Sequence, residues 1–157
     1  MRQPRGAGYW SWKLDVLEQA IQQCSKGDIV VYCDAGCQLN LRARGRFDHY
    51  VERLQSSDYG MIGFQMGFPE RHYTTEECFY VLGVEDESPH RLSGQIQATV
   101  LMLKVSEHAS AILAGFRKVI TEFPLVITDY FNGRQPSWFV DHRHDQSIFS
   151  VLRKLHG

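Results

Sequence analysis

Two apolar runs stand out along the chain, Ile29-Val30-Val31-Tyr32-Cys33 and Val100-Leu101-Met102-Leu103. Both are rich in β-branched, aromatic or long aliphatic residues and carry no charge, the composition of buried strands. Gly27-Asp28 is a turn signal ahead of the first. The second reads as the end of a longer strand that starts at Gln95, after Ser93-Gly94, and alternates polar with apolar residues in its first half. Residues 60–66 read as a third strand, short and glycine-containing. Between them the apolar spacing changes to that of helices. Leu14, Leu17, Ala20 and Ile21 predict one, closed near Lys26-Gly27. Phe47, Tyr50, Val51 and Leu54 predict a second. Ala109, Ile112, Leu113, Phe116, Val119 and Ile120 predict a third, with Ser106 as its N-cap and Pro124 as its stop. Ile148, Phe149, Val151, Leu152 and Leu155 predict a last one. Thr74 and Glu77 have capping-box spacing, which opens a short helix through Leu82. Residues 125–128 read as a strand or an extended connector; residues 1–8, 38–46, 68–73, 85–92 and 132–136 read as irregular or loop segments. Helices alternating with buried strands predict an α/β class with a mostly parallel central sheet flanked by helices.

Bulk composition narrows the setting. A chain of 157 residues, 43% apolar and 22% charged, suits a single domain, 1–157, with a real core. A net charge of −1 gives no bulk attraction to nucleic acid or an anionic membrane. No apolar run approaches the roughly 18 residues of a membrane span. Met1-Arg2-Gln3-Pro4-Arg5 has no apolar segment behind it, so it does not read as a signal peptide. Cys24, Cys33, Cys37 and Cys78 form no CxxC pair and read as buried or half-buried reduced thiols of a cytoplasmic protein.

Four clusters could carry chemistry. The first is Asp34-Ala35-Gly36, where a strand ends at a carboxylate. Ligands of open α/β sheets bind just outside such strand ends, and one carboxylate suits a hard cation that keeps substrate phosphates as its other ligands. Asp34 serves equally well as a simple loop cap. The second is His142-Arg143-His144-Asp145-Gln146 at the entrance to the last helix. Either Asp141 or Asp145 caps that helix among solvated neighbours, or a histidine helps hold a cation or phosphate while Asp145 or Gln146 meets a substrate hydroxyl. A zinc hydrolase would want three clear ligands, and no HExxH occurs. The third is Tyr9, Trp10 and Trp12, either core anchors or a ligand platform, followed by Lys13. A cation at a helix start is disfavoured by the macrodipole unless it faces an anion. The fourth is Gln95 and Gln97, which share one side of a strand and could read sugar hydroxyls or line a polar edge.

Together these stretches resemble glycosyltransferases of the GT-A fold, of the kind that build cell-surface and capsular polysaccharides, including a virus-encoded domain of that kind. The resemblance lies in Arg5-Gly6-Ala7-Gly8-Tyr9-Trp10-Ser11-Trp12-Lys13, in residues 27–37, in Gln95-Ile96-Gln97-Ala98-Thr99 and in residues 142–150, in that order. It implies a Rossmann-like nucleotide-diphospho-sugar transferase fold and transfer of a sugar from a nucleotide sugar, most often a UDP-sugar, to a glycan or other saccharide acceptor with Mn²⁺ or Mg²⁺. It places Tyr9, Trp12, Lys13, Asp34, Ala35, Gly36, Gln95, Gln97 and Gln146 at the donor or substrate. It places Asp34 with His142 and His144 at the metal, and Asp145 as the base of an inverting reaction. Asp34-Ala35-Gly36 stands where that family carries Asp-x-Asp, so Gly36 leaves Asp34 without its acidic partner. Family members begin with a further strand and helix and continue past the last helix. The expectation is therefore a domain missing its first strand–helix unit and shortened at both ends. A catalytically inactive remnant or binding module that keeps the core is the alternative.

Overall fold

The computed structural model describes residues 5–131 and 133–157. Residues 1–4 and Asn132, expected in an irregular leader and a turn, lie outside them.

The chain is α/β, but its sheets are antiparallel throughout. The main sheet has three strands in the order β1 (Ile29–Cys33), β5 (Val100–Lys104), β2 (Met61–Ile62). β1 runs antiparallel to β5 from Ile29 opposite Lys104 to Cys33 opposite Val100. β2 pairs the other edge of β5, also antiparallel. β1 and β2 therefore point the same way, as a strand–helix–strand crossover requires, and β5 fills the slot between them reversed. The mostly parallel sheet expected from alternating helices and strands is overturned by that insertion. The position of β5 also reverses the expected burial. β1 is an edge strand with Val31 41% exposed, whereas Leu101, Met102 and Leu103 in the central β5 are buried.

The short strand expected over 60–66 and the long one over 95–103 are each broken in two. β3 (Gln65–Pro69) and β4 (Gly94–Ile96) separate from β2 and β5 and form their own two-stranded sheet. The chain crosses between sheets at both breaks, where the Gln97 amide donates to the Phe64 carbonyl at 3.0 Å. A Cβ on Gly63 would lie 2.7 Å from Ile96 Cγ2, and one on Gly94 would lie 1.9 Å from the Met66 carbonyl oxygen. Close approach of a side chain at Gly63 and of backbone at Gly94 explains the two glycines.

After the short turn α1 (Gly6–Tyr9), the helices α2 (Trp12–Gln22), α3 (Arg44–Ser56), α7 (Glu107–Glu122) and α8 (Asp145–Leu155) fall where the apolar spacing places them. Ser106 caps α7 by accepting from the Ala109 amide. Leu14 and Leu17 from α2, Leu101 and Leu103 from β5, Ile112 and Phe116 from α7, and Ile148 and Phe149 from α8 share one core. Phe116 and Phe149 meet edge to face at 4.7 Å.

The connections differ more from expectation. Thr75, not Thr74, caps α5 (Glu76–Val81), accepting from the Cys78 amide at 3.2 Å. Thr74 instead donates to the buried Glu70 at 2.7 Å. Residues 68–73 are the end of β3 and a helical turn, α4 (Glu70–Tyr73), and the loop over 85–92 contains α6 (Pro89–Leu92), capped by Ser88. Pro124–Ile127 is a 3₁₀ turn rather than a strand, with Pro124 opening it where a fixed φ is welcome. All four cysteines are free, and Cys24 is exposed rather than buried.

Candidate functional site

Lys13 lies at the start of α2 yet its side chain is 3% exposed. Its ammonium sits 2.7 Å from Asp145 Oδ2 and 3.6 Å from Asp34 Oδ1, and donates to the Ala98 carbonyl at 3.0 Å. It also stands 5.1 Å from the centre of the Tyr32 ring. The unfavourable position of a cation at a helix start is thus offset by two carboxylates and a carbonyl. Tyr32 and Asp34 alternate along one face of β1 and its continuation, and the Tyr32 hydroxyl donates to Asp34 Oδ1 at 2.6 Å. Burial, then Asp34, pushes the Tyr32 pKa up. The ladder continues past the strand through the Asp34 amide, which donates to the Thr99 carbonyl, so Asp34 leaves β1 in a fixed direction.

These groups open into a cleft of about 290 Å³ that is also lined by Arg5, Trp10 and residues 141–146. Asp145 is 5% exposed. Burial raises its pKa to about 6, against the lowering effect of Lys13. A carboxylate with that pKa is ionised at neutral pH and is still basic enough to take a proton.

His144 approaches from the same loop. Its Nδ1 lies 2.9 Å from the Ile127 carbonyl, an acceptor only, so Nδ1 carries the hydrogen and neutral His144 presents its lone pair at Nε2. That nitrogen is buried without a hydrogen-bond partner and lies 3.5 Å from Asp129 Oδ1. Burial lowers the His144 pKa, which keeps it neutral at pH 7. The rings of Tyr9 and Trp10 pack against it at 4.9 and 5.7 Å. Gly6, Ala7, Gly8, Tyr9 and Trp10 all have positive φ, and so does His144 at 53°. Non-glycine residues in such conformations cost about 1–2 kcal/mol each and cluster at ligand sites.

His142 differs. Its Nδ1 accepts from the Thr75 amide at 3.4 Å, so the neutral ring carries its hydrogen on Nε2, which is buried without a hydrogen-bond partner. Burial, then the neighbouring His144, lowers its pKa to about 3. Its one lone pair is used on the Thr75 amide, so it supports α5 rather than offering that lone pair to a ligand.

The expected residues divide accordingly. Lys13, Asp34, His142, His144, Asp145 and Gln146 line one cleft. Gln146 does so with its amide already used: Oε1 accepts from the Ala98 amide at 3.1 Å and Nε2 donates to Gln95 Oε1 at 2.7 Å. Gln95 is wholly buried and donates to Glu70 at 2.8 Å, so it braces the floor instead of reading a ligand. Gln97 lies beyond the end of β4 and outside the cleft lining. Ala35 and Gly36 form an exposed turn, and Trp12 is outside the lining with its indole donating to the Gly6 carbonyl. Arg5 and Arg143 stood in stretches singled out from sequence but were given no role of their own, and Tyr32 and Asp129 were given none either. Of the last two only Tyr32 carried a signal, its spacing of two from Asp34.

Among the described residues no three His, Cys, Asp or Glu side chains converge as a ready metal-binding set. A cation bound with phosphate needs fewer protein donors. Asp34 Oδ1 is engaged by Tyr32 and Lys13 while its carboxylate is 36% exposed, and His144 Nε2 is a buried donor atom without a partner. Asp34 Oδ2 and His144 Nε2 are the atoms here that a divalent cation would use, its other ligands being phosphate and water. Comparison with family models, curated proteins and solved structures found no match to this chain.

Proposed function

We propose that this cleft transfers a sugar from a nucleotide sugar, a UDP-sugar by preference, to a saccharide acceptor. The observation that carries the reading is Lys13, whose buried ammonium joins Asp34 to Asp145 at the end of β1. Asp34, with His144, would hold Mn²⁺ or Mg²⁺, which when bound neutralises charge building on the departing diphosphate. Arg143 at the cleft would add positive charge for that group, while Arg5 is held by Asp129 and Asp141. Trp10, in the cleft lining, would contact the sugar or base. Asp145 acts as base in an inverting displacement. The acceptor hydroxyl gives its proton to the carboxylate, its oxygen bonds to the anomeric carbon, and the bond from that carbon to the phosphate oxygen breaks, its electron pair leaving with the diphosphate. Lys13 holds Asp145 ionised for that step. A cytoplasmic setting is supported by the four free thiols, and no helix among the described residues is long and apolar enough to cross a membrane.

The test is release of nucleoside diphosphate from a panel of nucleotide sugars with Mn²⁺, in the wild type and in Asp34→Ala. Turnover that falls at least about 100-fold in Asp34→Ala at unchanged melting temperature is expected. Binding without turnover would leave only a binding module. Neither binding nor turnover at millimolar donor would overturn the reading.

A further inference from the structure

The geometry points to a second ligand site, on the far edge of the main sheet, that takes a phosphate-bearing small molecule. A cleft of about 700 Å³ lies between α3, β2 and the end of α8, and it shares no lining residue with the cleft at Asp34. One face of α3 forms its wall, because Arg46, His49, Arg53 and Ser57 recur at helical spacing. Leu54, 1% exposed, seats the inner side of that helix, and Tyr50 packs edge-on against Phe64 at 5.4 Å. The outer face therefore stands over the cleft in one orientation.

Arg153 enters from α8. One of its terminal nitrogens donates to the Met61 carbonyl at 3.2 Å, and its guanidinium stands 5.8 Å from the centre of the Tyr59 ring. Its Nε is buried and has no hydrogen-bond partner. Burial lowers its pKa, with no carboxylate opposing that effect. No Asp or Glu lines the cleft, and among the described residues Arg46, Arg53 and Arg153 form no ion pair. Of the two acids on the same helix, Asp48 pairs with Arg44 and Glu52 is not part of the cleft lining.

A half-buried guanidinium without a counter-charge is costly, and two more guanidiniums beside it raise the cost. An anion removes it. Three guanidiniums match a dianion better than a single carboxylate, and their planar forks suit phosphate oxygens. The volume leaves room for a ring attached to the phosphate. The alternative is a basic face satisfied by water and salt.

This inference stands apart from the nucleotide-sugar reading, and calorimetry separates the two. Inorganic phosphate, glucose 1-phosphate and glucose are titrated into the full chain at low salt without divalent cations. Glucose 1-phosphate is expected to bind, glucose is not, and the ratio to inorganic phosphate tells a sugar phosphate from free phosphate as the source. The exposed pair Arg46→Glu/Arg53→Glu should weaken binding at least about 10-fold, since charge-assisted bonds are replaced by repulsion. Asp34→Ala should leave it unchanged. Arg153→Met, checked for folding by its melting curve, should lower affinity likewise. No heat from either phosphate at millimolar concentration, equal binding by the doubly reversed variant, or a loss seen only in Asp34→Ala would each overturn the proposal.

Discussion

Replacing Lys13 with methionine removes the ammonium 2.7 Å from Asp145 Oδ2 and keeps a side chain of similar length. The two side chains are 3% and 6% exposed, so water cannot take over the lost contact. Removing one partner of a buried pair typically costs about 3–5 kcal/mol, because the other charge stays buried alone. The size of the loss depends on pH, and the sign follows from Asp145. Its folded pKa, about 6, already lies above the ordinary 3.8, and Lys13 is the chief group holding it down. In Lys13→Met it rises further. The folded variant then binds a proton that the unfolded chain has released, so its stability falls as pH climbs from near 4 through the raised value. Urea unfolding of wild type and variant at about pH 5 and about pH 8 measures this, with a small difference expected at the lower pH and the full few kcal/mol at the higher. Adding Asp145→Asn to Lys13→Met should recover most of the loss at the higher pH. A difference equal at both pH values, or a double variant no better than the single one, would refute the buried-pair account.

If Asp145 is the base, the turnover rate should rise as pH climbs through about 6 and then level off, and Asp145→Asn should abolish that rise. Glu70→Ala should cost about 3–5 kcal/mol in urea unfolding, because the wholly buried carboxylate is the shared acceptor of Thr74, Gln95, Ser150 and Lys154. Gly94→Ala should disrupt the pairing of β3 with β4, read as faster amide exchange over residues 65–69 and 94–97, because its methyl carbon would meet the Met66 carbonyl oxygen. His142 is neutral in the fold at neutral pH, its folded value of about 3 lying below the ordinary 6.5. The stability it contributes is complete above about pH 6.5 and is lost as pH falls toward 3, so acid unfolding should set in later in His142→Gln.

Periodicity alone located the four long helices, since one apolar stripe per helix is a local property of the chain. It also marked β1 and β5, Ser106 as a cap, and the stretches that bear Lys13, Asp34, His144 and Asp145. Strand direction was beyond it. The residue pattern of β5 is the same in either direction, and only its pairing with both β1 and β2 makes the sheet antiparallel. Nor could spacing show that two continuous strands break at Gly63 and Gln97, because the break answers a contact between segments far apart in sequence. The roles within the cleft were decided the same way. Gln95 and His142 carry the right chemistry for a ligand, yet tertiary packing spends both on the fold, and it turns Tyr32 toward Asp34. A side chain's chemistry is written in its residue type; whether that chemistry faces a ligand or a neighbour depends on which distant backbone and side-chain groups the fold brings against it.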